Sequence, residues 1–153
     1  MKGYSIIGLD NPKNRLNVGS VLRAAHCYNS TMIAISGSRV DNYRLKSIPT
    51  DTPKAIRRIP VLLCDELRDV IPYDCQCVAV DLIEGATSLK DFSHPDRAFY
   101  IFGAEDSTLG KMTLEYCQHK VFIPTNYCMN LAATVNVVLY DRLSKQSKTG
   151  EIK

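Results

Sequence analysis

The chain has 153 residues, 45% of them hydrophobic and 23% charged, with a formal net charge of +3. Such a chain fits one globular domain that buries roughly two-thirds of the surface its unfolded form exposes, so it needs no disulfide or metal to stabilise it. No stretch approaches the roughly 18 consecutive apolar residues of a membrane span, and the first apolar run is too short for a signal peptide. These features exclude a membrane-spanning helix and predict a soluble, cytoplasmic protein.

Six apolar runs rich in strand-forming residues recur along the chain. They span residues 4–9, 31–36, 60–64, 76–82, 98–103 and 120–124. Most of them are continuous rather than alternating, as expected for strands that are covered on both faces.

Helical patterns lie between or after several of these runs. The first, over residues 17–29, places four apolar residues on one face: Val18, Val21, Leu22 and Ala25. Residues 111–117 predict a short helix, and a final helix over about 129–145 carries Leu131, Val135, Val138, Leu139 and Arg142 at helical spacing. Strands alternating with helices predict the α/β class, with a mostly parallel sheet between helices. We expect a single domain over residues 1–153, with a polar tail from about residue 144.

The six cysteines show neither paired CxxC spacing nor a secretory context, which favours free thiols in a reducing cytosol. Cys75 and Cys77 would point to one face of a strand. Because no second ligand pair accompanies them, we predict no metal site.

Residues 39–58 form a polar stretch long enough to be a surface excursion. It carries six basic residues against two acidic ones; the basic residues are Arg39, Arg44, Lys46, Lys54, Arg57 and Arg58. Thr52 and Pro53 fit the N-cap and first position of a short helix that would present the last three of these charges together. Long loops in compact domains are often functional.

Polar segments follow the first, fifth and sixth predicted strands, at the strand ends where a parallel sheet usually binds its ligand. In FGAEDSTLG, residues 102–110, Gly103 lets the backbone approach a ligand closely, and Glu105 and Asp106 could orient that ligand or cap a helix. An ordinary strand-to-helix turn explains the same residues. Neither a GxGxxG fingerprint after the first strand nor a Walker loop is present, which excludes those two nucleotide sites.

The three segments carry a resemblance to a known family. NVGSVLR, residues 17–23, resembles the N-x-G-x-x-x-R first motif of the SpoU/TrmH branch of the SPOUT RNA methyltransferases. FGAEDSTL resembles their FG-x-E-x-x-G-L second motif, and IPTNYCMNLAATVNVVLYDR, residues 123–142, resembles their third motif. The motifs occur in the family's order, and the short chain is most similar to the minimal TrmL subgroup of tRNA ribose methyltransferases.

The resemblance implies a SPOUT-type domain whose C-terminal part forms a deep trefoil knot, an exception to the rule against knotted chains. It implies S-adenosylmethionine bound in the knot and a homodimer with active sites near its interface. The implied reaction is methyl transfer to a ribose 2′-hydroxyl of RNA, with tRNA in the anticodon region as the expected substrate. Two alternatives stay open: a knotted dimer or partner subunit that binds RNA or cofactor without turnover, and a methyltransferase that acts on a base nitrogen.

Four residues match the family's catalytic positions. Arg23 is implied to act on the hydroxyl, but a guanidinium is a poor base, so we expect it to hold the phosphate and the hydroxyl in line. Asn17 is expected to fix the structure around Arg23, or else to cap the following helix. Glu105 is expected to pair with Arg23 or another positive group, and Asn130 to bridge the knot loop to Arg23 or the substrate.

Five residues match the family's cofactor-binding positions: Val80, Gly103, Ile123, Cys128 and Met129. Ordinary core packing explains Val80, Ile123 and Met129 equally well. The chain departs from the family where Cys128 replaces a usual serine and where Thr108 precedes Leu109 instead of a glycine.

The basic stretch is the predicted RNA-facing surface, because attraction to phosphates needs clustered Lys and Arg on an accessible surface. The residues expected to bind RNA are Arg39, Arg44, Lys46, Arg57 and Arg58. A merely solvated basic loop is the alternative, and Tyr43 and Tyr127 are candidates for stacking on a base.

Overall fold

The computed structural model describes residues 3–40, 45 and 48–146. Within them lies a seven-stranded, all-parallel sheet with the strand order β3-β2-β1-β6-β4-β7-β5. The strands are β1 Tyr4–Leu9, β2 Met32–Ser36, β3 Val61–Cys64, β4 Gln76–Val80, β5 Thr87–Ser88, β6 Arg97–Phe102 and β7 His119–Phe122. The six predicted strands and the parallel α/β class are therefore confirmed, and β5 is an addition of two residues.

Three α-helices accompany the sheet in the described part of the chain: α1 Arg15–Cys27, α2 Lys111–Glu115 and α3 Leu131–Gln146. The last helix extends past residue 144, so the first residues of the predicted polar tail are helical, and the rest of the tail lies outside the described residues. No described helix combines the length and apolar content needed to cross a membrane.

The sheet is covered on both faces, which explains why its strands are continuously apolar. One core contains Tyr100 and Phe102 of β6 with the buried faces of α1 and α3. The other contains Phe99 and Ile101 of the same strand, together with Leu109 and residues around α2. Alternate residues of β6 thus fill opposite cores, as the two-residue period of a strand requires.

Arg142, a charged residue on the apolar face of α3, is buried. It is 4% exposed and donates to the carbonyl oxygens of Pro95 at 2.7 Å and Asp96 at 2.6 Å. It also donates to the Tyr100 hydroxyl at 3.0 Å, and burial raises the pKa of that hydroxyl to about 12. These contacts satisfy the buried guanidinium and attach the end of α3 to the start of β6.

His94 extends this network from Tyr100 to Asp141 of α3. Its Nε2 lies 2.7 Å from Asp141 Oδ2 and its Nδ1 lies 2.6 Å from the Tyr100 hydroxyl. Because the carboxylate can only accept, Nε2 carries the hydrogen and Nδ1 accepts from the hydroxyl. Burial lowers the pKa of His94, and this outweighs the opposing effect of Asp141.

Two predicted caps are corrected by the structure. Helix α1 begins at Arg15 with Asn14 as its N-cap, whose side chain accepts from the Leu16 amide at 2.8 Å, so Asn17 does not cap the helix. Thr52 does not cap a helix either. Instead, the buried Asp51 carboxylate accepts from Ala55 and Ile56, and it holds a short 3-10 turn over Ala55–Arg57.

Candidate functional site

A cavity of about 360 Å³ opens at the carboxyl ends of β4, β6 and β7. The three strands are neighbours in the sheet although they are far apart in the chain, so the parallel topology gathers the segments that follow them. All five residues predicted to bind a cofactor line this cavity: Val80, Gly103, Ile123, Cys128 and Met129. We call it the strand-end cavity.

The strand-end cavity has further lining residues that the sequence did not single out. They include Asp81 and Leu82 after β4, Thr125 after β7 and Thr134 in α3. Among these residues, Asp81 could best have been predicted as a site residue from the sequence, since it is an acidic residue directly after a buried strand. It matches no motif position of the family, so motif matching alone could not assign it a role.

Gly103 lies in a closely packed part of the wall of the strand-end cavity. A Cβ atom on this residue would lie 3.0 Å from Asp81 Oδ2 and 3.3 Å from the Ser107 carbonyl oxygen. A side chain would therefore push against both neighbouring segments, whereas glycine lets them close together.

Glu105 joins the loop after β6 to the start of α1, and it does not contact Arg23 in the described structure. Its carboxylate accepts from the Lys13 amide at 2.9 Å and from the Asn14 amide at 3.4 Å. Partial burial would raise the pKa of Glu105, but the hydrogen bonds from Asn17, Lys13 and Asn14 outweigh it and lower the pKa. The expected pairing with a positive side chain is thus replaced by pairing with the N–H groups of a helix start.

Asn17 lies between Glu105 and Asn130. Its Nδ2 donates to Glu105 Oε1 at 2.9 Å, and its Oδ1 accepts from Asn130 Nδ2 at 2.9 Å. Asn130 Oδ1 in turn accepts from the Ala133 amide at 3.2 Å, at the start of α3. One hydrogen-bonded chain therefore links the three sequence motifs.

Arg39 forms an ion pair with Asp106, which lines the strand-end cavity. Its Nη1 lies 2.9 Å from Asp106 Oδ2 and its Nη2 lies 3.1 Å from Asp106 Oδ1, a bidentate pair. The hydrogen bond from Arg39 lowers the pKa of Asp106. Since Arg39 also donates to the Asn11 carbonyl oxygen, it ties the loop after β6 to the segment after β1.

Arg23 lines a second cavity, of about 500 Å³, and not the strand-end cavity. Its neighbours there are Ser20 and Cys27 of α1, Thr50 and Thr52 of the basic stretch, and Asn136 of α3. Within the described residues, the exposed guanidinium has no hydrogen-bond or ion-pair partner. We call this the Arg23 cavity.

Close packing of α1 builds one wall of the Arg23 cavity. A Cβ atom on Gly19 would lie 2.2 Å from Thr50 Oγ1 and 2.4 Å from Ile48 Cγ2. The glycine therefore lets the basic stretch pack directly on the helix, and Thr50 Oγ1 donates to the Leu16 carbonyl oxygen at 2.6 Å.

The other residues predicted to bind RNA divide into two groups. Arg57 and Arg58 are exposed, as is Lys54, which adopts a left-handed conformation with φ of 52°. Arg44 and Lys46 lie outside the described residues, as does Tyr43. Tyr127 is 86% exposed in the segment between β7 and α3.

A sequence profile of the SpoU rRNA methylase family matches residues 4–140. A comparison with curated protein sequences gives no match. The match begins at the start of β1, includes the first two motif segments completely and covers the third as far as Tyr140 of α3.

Solved structures resemble the whole domain at low sequence identity. The SpoU methyltransferase AviRb from Streptomyces viridochromogenes, solved with AdoMet, superposes with a TM-score of 0.83 at 19% identity, over 95% of this chain and 62% of that one. The TrmH/SpoU tRNA modifying enzyme of A. aeolicus has a TM-score of 0.81 at 15% identity, over 95% and 76%.

A third structure, from work on the 2-OH methylation of C/U34 on tRNA, has a TM-score of 0.79 at 18% identity, over 94% of this chain and 96% of that one. The chain spans 57–62% of the length of the first four solved structures that it matches. These likenesses support the fold.

Proposed function

Because this chain belongs to the SpoU rRNA methylase family, we propose that it transfers a methyl group from S-adenosylmethionine to a ribose 2′-hydroxyl of RNA. We propose tRNA, in the anticodon region, as the substrate and the cytoplasm as the place of action. The observation that carries the proposal is that the second and third motif segments line the strand-end cavity, while hydrogen bonds of Asn17 join the first motif segment to both of them.

The strand-end cavity fits the proposed cofactor. Its volume of about 360 Å³ lies in the range of small-molecule sites, and its lining combines apolar side chains with the backbone of strand ends. Gly103 lines the cavity and lets Asp81 and the Ser107 carbonyl pack closely in its wall, while Val80, Ile123 and Met129 offer apolar contacts. When bound there, the cofactor supplies an electrophilic methyl group whose transfer leaves a neutral sulfur.

Arg23 is the proposed catalytic residue. Methyl transfer is an in-line displacement, so the 2′-oxygen must be held on the line of the breaking carbon–sulfur bond. A guanidinium stays protonated and can donate to a phosphate and a hydroxyl at once, which positions the nucleophile without accepting its proton. The proton then passes to a neighbouring phosphate oxygen or to solvent.

We propose a homodimer because a single chain leaves the two halves of this site in separate cavities. Residues of α3 separate them: Thr134 lines the strand-end cavity and Asn136 lines the Arg23 cavity. The same helix exposes Val137, Tyr140 and Leu143, at 37%, 61% and 51%. An apolar surface of this kind is typical of a protein–protein interface, and an interface along α3 would bring the cavities of two chains together.

The trefoil knot is also part of the proposal. Strand β7 lies between β4 and β5, although both of those strands precede it in the chain. The connection from β4 to β5 therefore crosses beside the end of β7. This order supports the proposed knot, because the segment that follows β7 starts beside this connection and leads to α3, which packs against α1.

RNA is proposed to approach the Arg23 cavity. Thr50 and Thr52 line that cavity, and Lys54, Arg57 and Arg58 follow them on an exposed turn. Clustered cations next to the catalytic arginine would hold the phosphates that flank the target nucleotide.

The test incubates the purified protein with labelled S-adenosylmethionine and unmodified tRNA, then maps any alkali-resistant linkage. Methyl label at a resistant linkage is the expected result, because a 2′-O-methyl group blocks cleavage of its own phosphodiester. Label on a base would point to nitrogen methylation. Binding of RNA and cofactor without incorporation would favour the non-catalytic dimer.

A further inference from the structure

We propose that Asp81 makes the strand-end cavity selective for positive charge, so that it binds S-adenosylmethionine more tightly than the demethylated product. The inference rests on the proposed function, since it concerns the same cofactor and the same cavity. It assigns a specificity role to a residue outside the three sequence motifs.

The Asp81 carboxylate is held in the cavity wall from two sides. Its Oδ1 accepts from the Leu82 amide at 2.8 Å, and its Oδ2 accepts from the Leu109 amide at 2.9 Å. The same Oδ2 lies 3.0 Å from the position that a Cβ atom on Gly103 would occupy. The carboxylate is therefore fixed beside Gly103, and both residues line the cavity.

Asp81 has the least compensated charge in the described wall of the cavity, which contains three acidic residues and no basic residue. Of these, Asp106 forms a bidentate pair with Arg39. Glu105 accepts from the Asn17 side-chain amide as well as from two backbone amides. Within the described residues, Asp81 accepts only from two backbone N–H groups.

The two ligands differ mainly in charge. The methyl donor carries a sulfonium and the product a neutral thioether, while their adenosine and amino-acid parts are the same. Apolar contacts and backbone hydrogen bonds therefore contribute almost equally to both ligands. A fixed carboxylate in a partly enclosed cavity favours the cation, because Coulomb energies grow as water is excluded.

Selectivity of this kind would assist turnover. Loss of the sulfonium charge on transfer removes the attraction to Asp81, so the product dissociates more readily than the donor. The cavity is then free for a new methyl donor.

Equilibrium titration of the wild-type protein with S-adenosylmethionine and with S-adenosylhomocysteine tests the inference without any turnover. We expect a smaller Kd for the donor, and a preference that shrinks as salt is raised, since salt screens the charge. Asp81→Asn should reduce the ratio of the two Kd values by about tenfold, mainly by weakening the donor, a change equal to about 1.4 kcal/mol.

The ratio of the two Kd values distinguishes an effect of the Asp81 charge from a general change in the structure of the cavity. Asp81→Asn also loses one of two backbone hydrogen bonds, but a looser cavity wall would weaken both ligands alike. Asp81→Glu keeps the charge and should keep most of the preference. Glu84→Gln removes the same charge from an exposed residue outside the cavity and should leave the ratio unchanged.

Wild-type protein that binds the product as tightly as the donor would overturn the inference, even if the variants fail to fold. An unchanged ratio in a folded Asp81→Asn protein would also overturn it. Either result leaves the proposed function intact, since the cofactor still binds. Protein that binds neither ligand would overturn the proposed function and this inference with it.

Discussion

Asn17 Nδ2 donates to Glu105 Oε1 across 2.9 Å, although the two residues are 88 positions apart in the chain. The hydrogen bond joins the first turn of α1 to the loop that forms one wall of the strand-end cavity. It also orients the Asn17 amide, so that Oδ1 is free to accept from Asn130. The relative positions of the three motifs therefore depend on one side-chain amide.

Asn17→Asp should break this arrangement, because the new carboxylate would face the Glu105 carboxylate and could no longer donate to it. We expect the free energy of unfolding to fall by about 1–2 kcal/mol and cofactor affinity to decrease. Urea denaturation and cofactor titration measure the two effects. Asn29→Asp, the same change in the exposed turn that follows α1, is the control, and an equal response of both variants would refute the linking role.

Gly103→Ala should weaken cofactor binding by about tenfold or more, since a Cβ atom must displace Asp81 or the Ser107 carbonyl from the cavity wall. Gly110→Ala is the matched control, because nothing lies within 4 Å of a Cβ atom at that position. Calorimetric titration of both variants gives the comparison. Unchanged affinity in Gly103→Ala would mean that the tight wall is not part of the cofactor site.

The stability of the protein should decrease on acidification through the range in which an exposed histidine titrates. Burial lowers the pKa of His94 below its ordinary 6.5, so below that pH the unfolded chain binds a proton that the folded chain does not. The contribution of His94 to the free energy of unfolding is therefore fully present above about pH 6.5. It is lost as the pH falls towards the pKa of His94 in the folded protein.

Urea denaturation at several pH values between about 5 and 8 measures this loss. His94→Gln should flatten the profile, whereas His26→Gln, at the end of α1, should retain it. A His94→Gln profile as steep as that of the wild type would assign the pH dependence to other groups.

Replacing Arg57 and Arg58 with alanine should weaken RNA binding and reduce the slope of log K against log salt by about 1 for each phosphate that is no longer neutralised. Fluorescence anisotropy with labelled tRNA over a salt series gives the slope. Arg68→Ala, in another exposed turn, is the control. A slope unaffected by the double change would move the RNA-facing surface away from this turn.

Much of the fold could be predicted from the sequence, because the strands of a doubly covered sheet are continuous apolar runs and the long helices have apolar faces of regular spacing. The two-residue strand Thr87–Ser88 could not, since it is polar and pairs only with the end of β7. Arg142 was predicted on the apolar face of α3, but its burial depends on carbonyl groups more than 40 positions earlier in the chain.

The candidate site shows the same division. Motif matches predicted five residues that the structure gathers around the strand-end cavity. They did not predict that Arg39 would pair with Asp106, or that Glu105 would accept from the start of α1. These interactions join loops that are far apart in the chain and come together only at the edge of the folded sheet. A local sequence pattern does not predict which of these loops will be in contact.

The most direct test of the central claim is methyl transfer by Arg23→Ala, measured with labelled S-adenosylmethionine and unmodified tRNA. Loss of the positioning group should lower incorporation by about 100-fold or more, while the Kd for the cofactor stays within about twofold of the wild-type value. Arg68→Ala should remain active. Wild-type incorporation by folded Arg23→Ala protein would contradict the account.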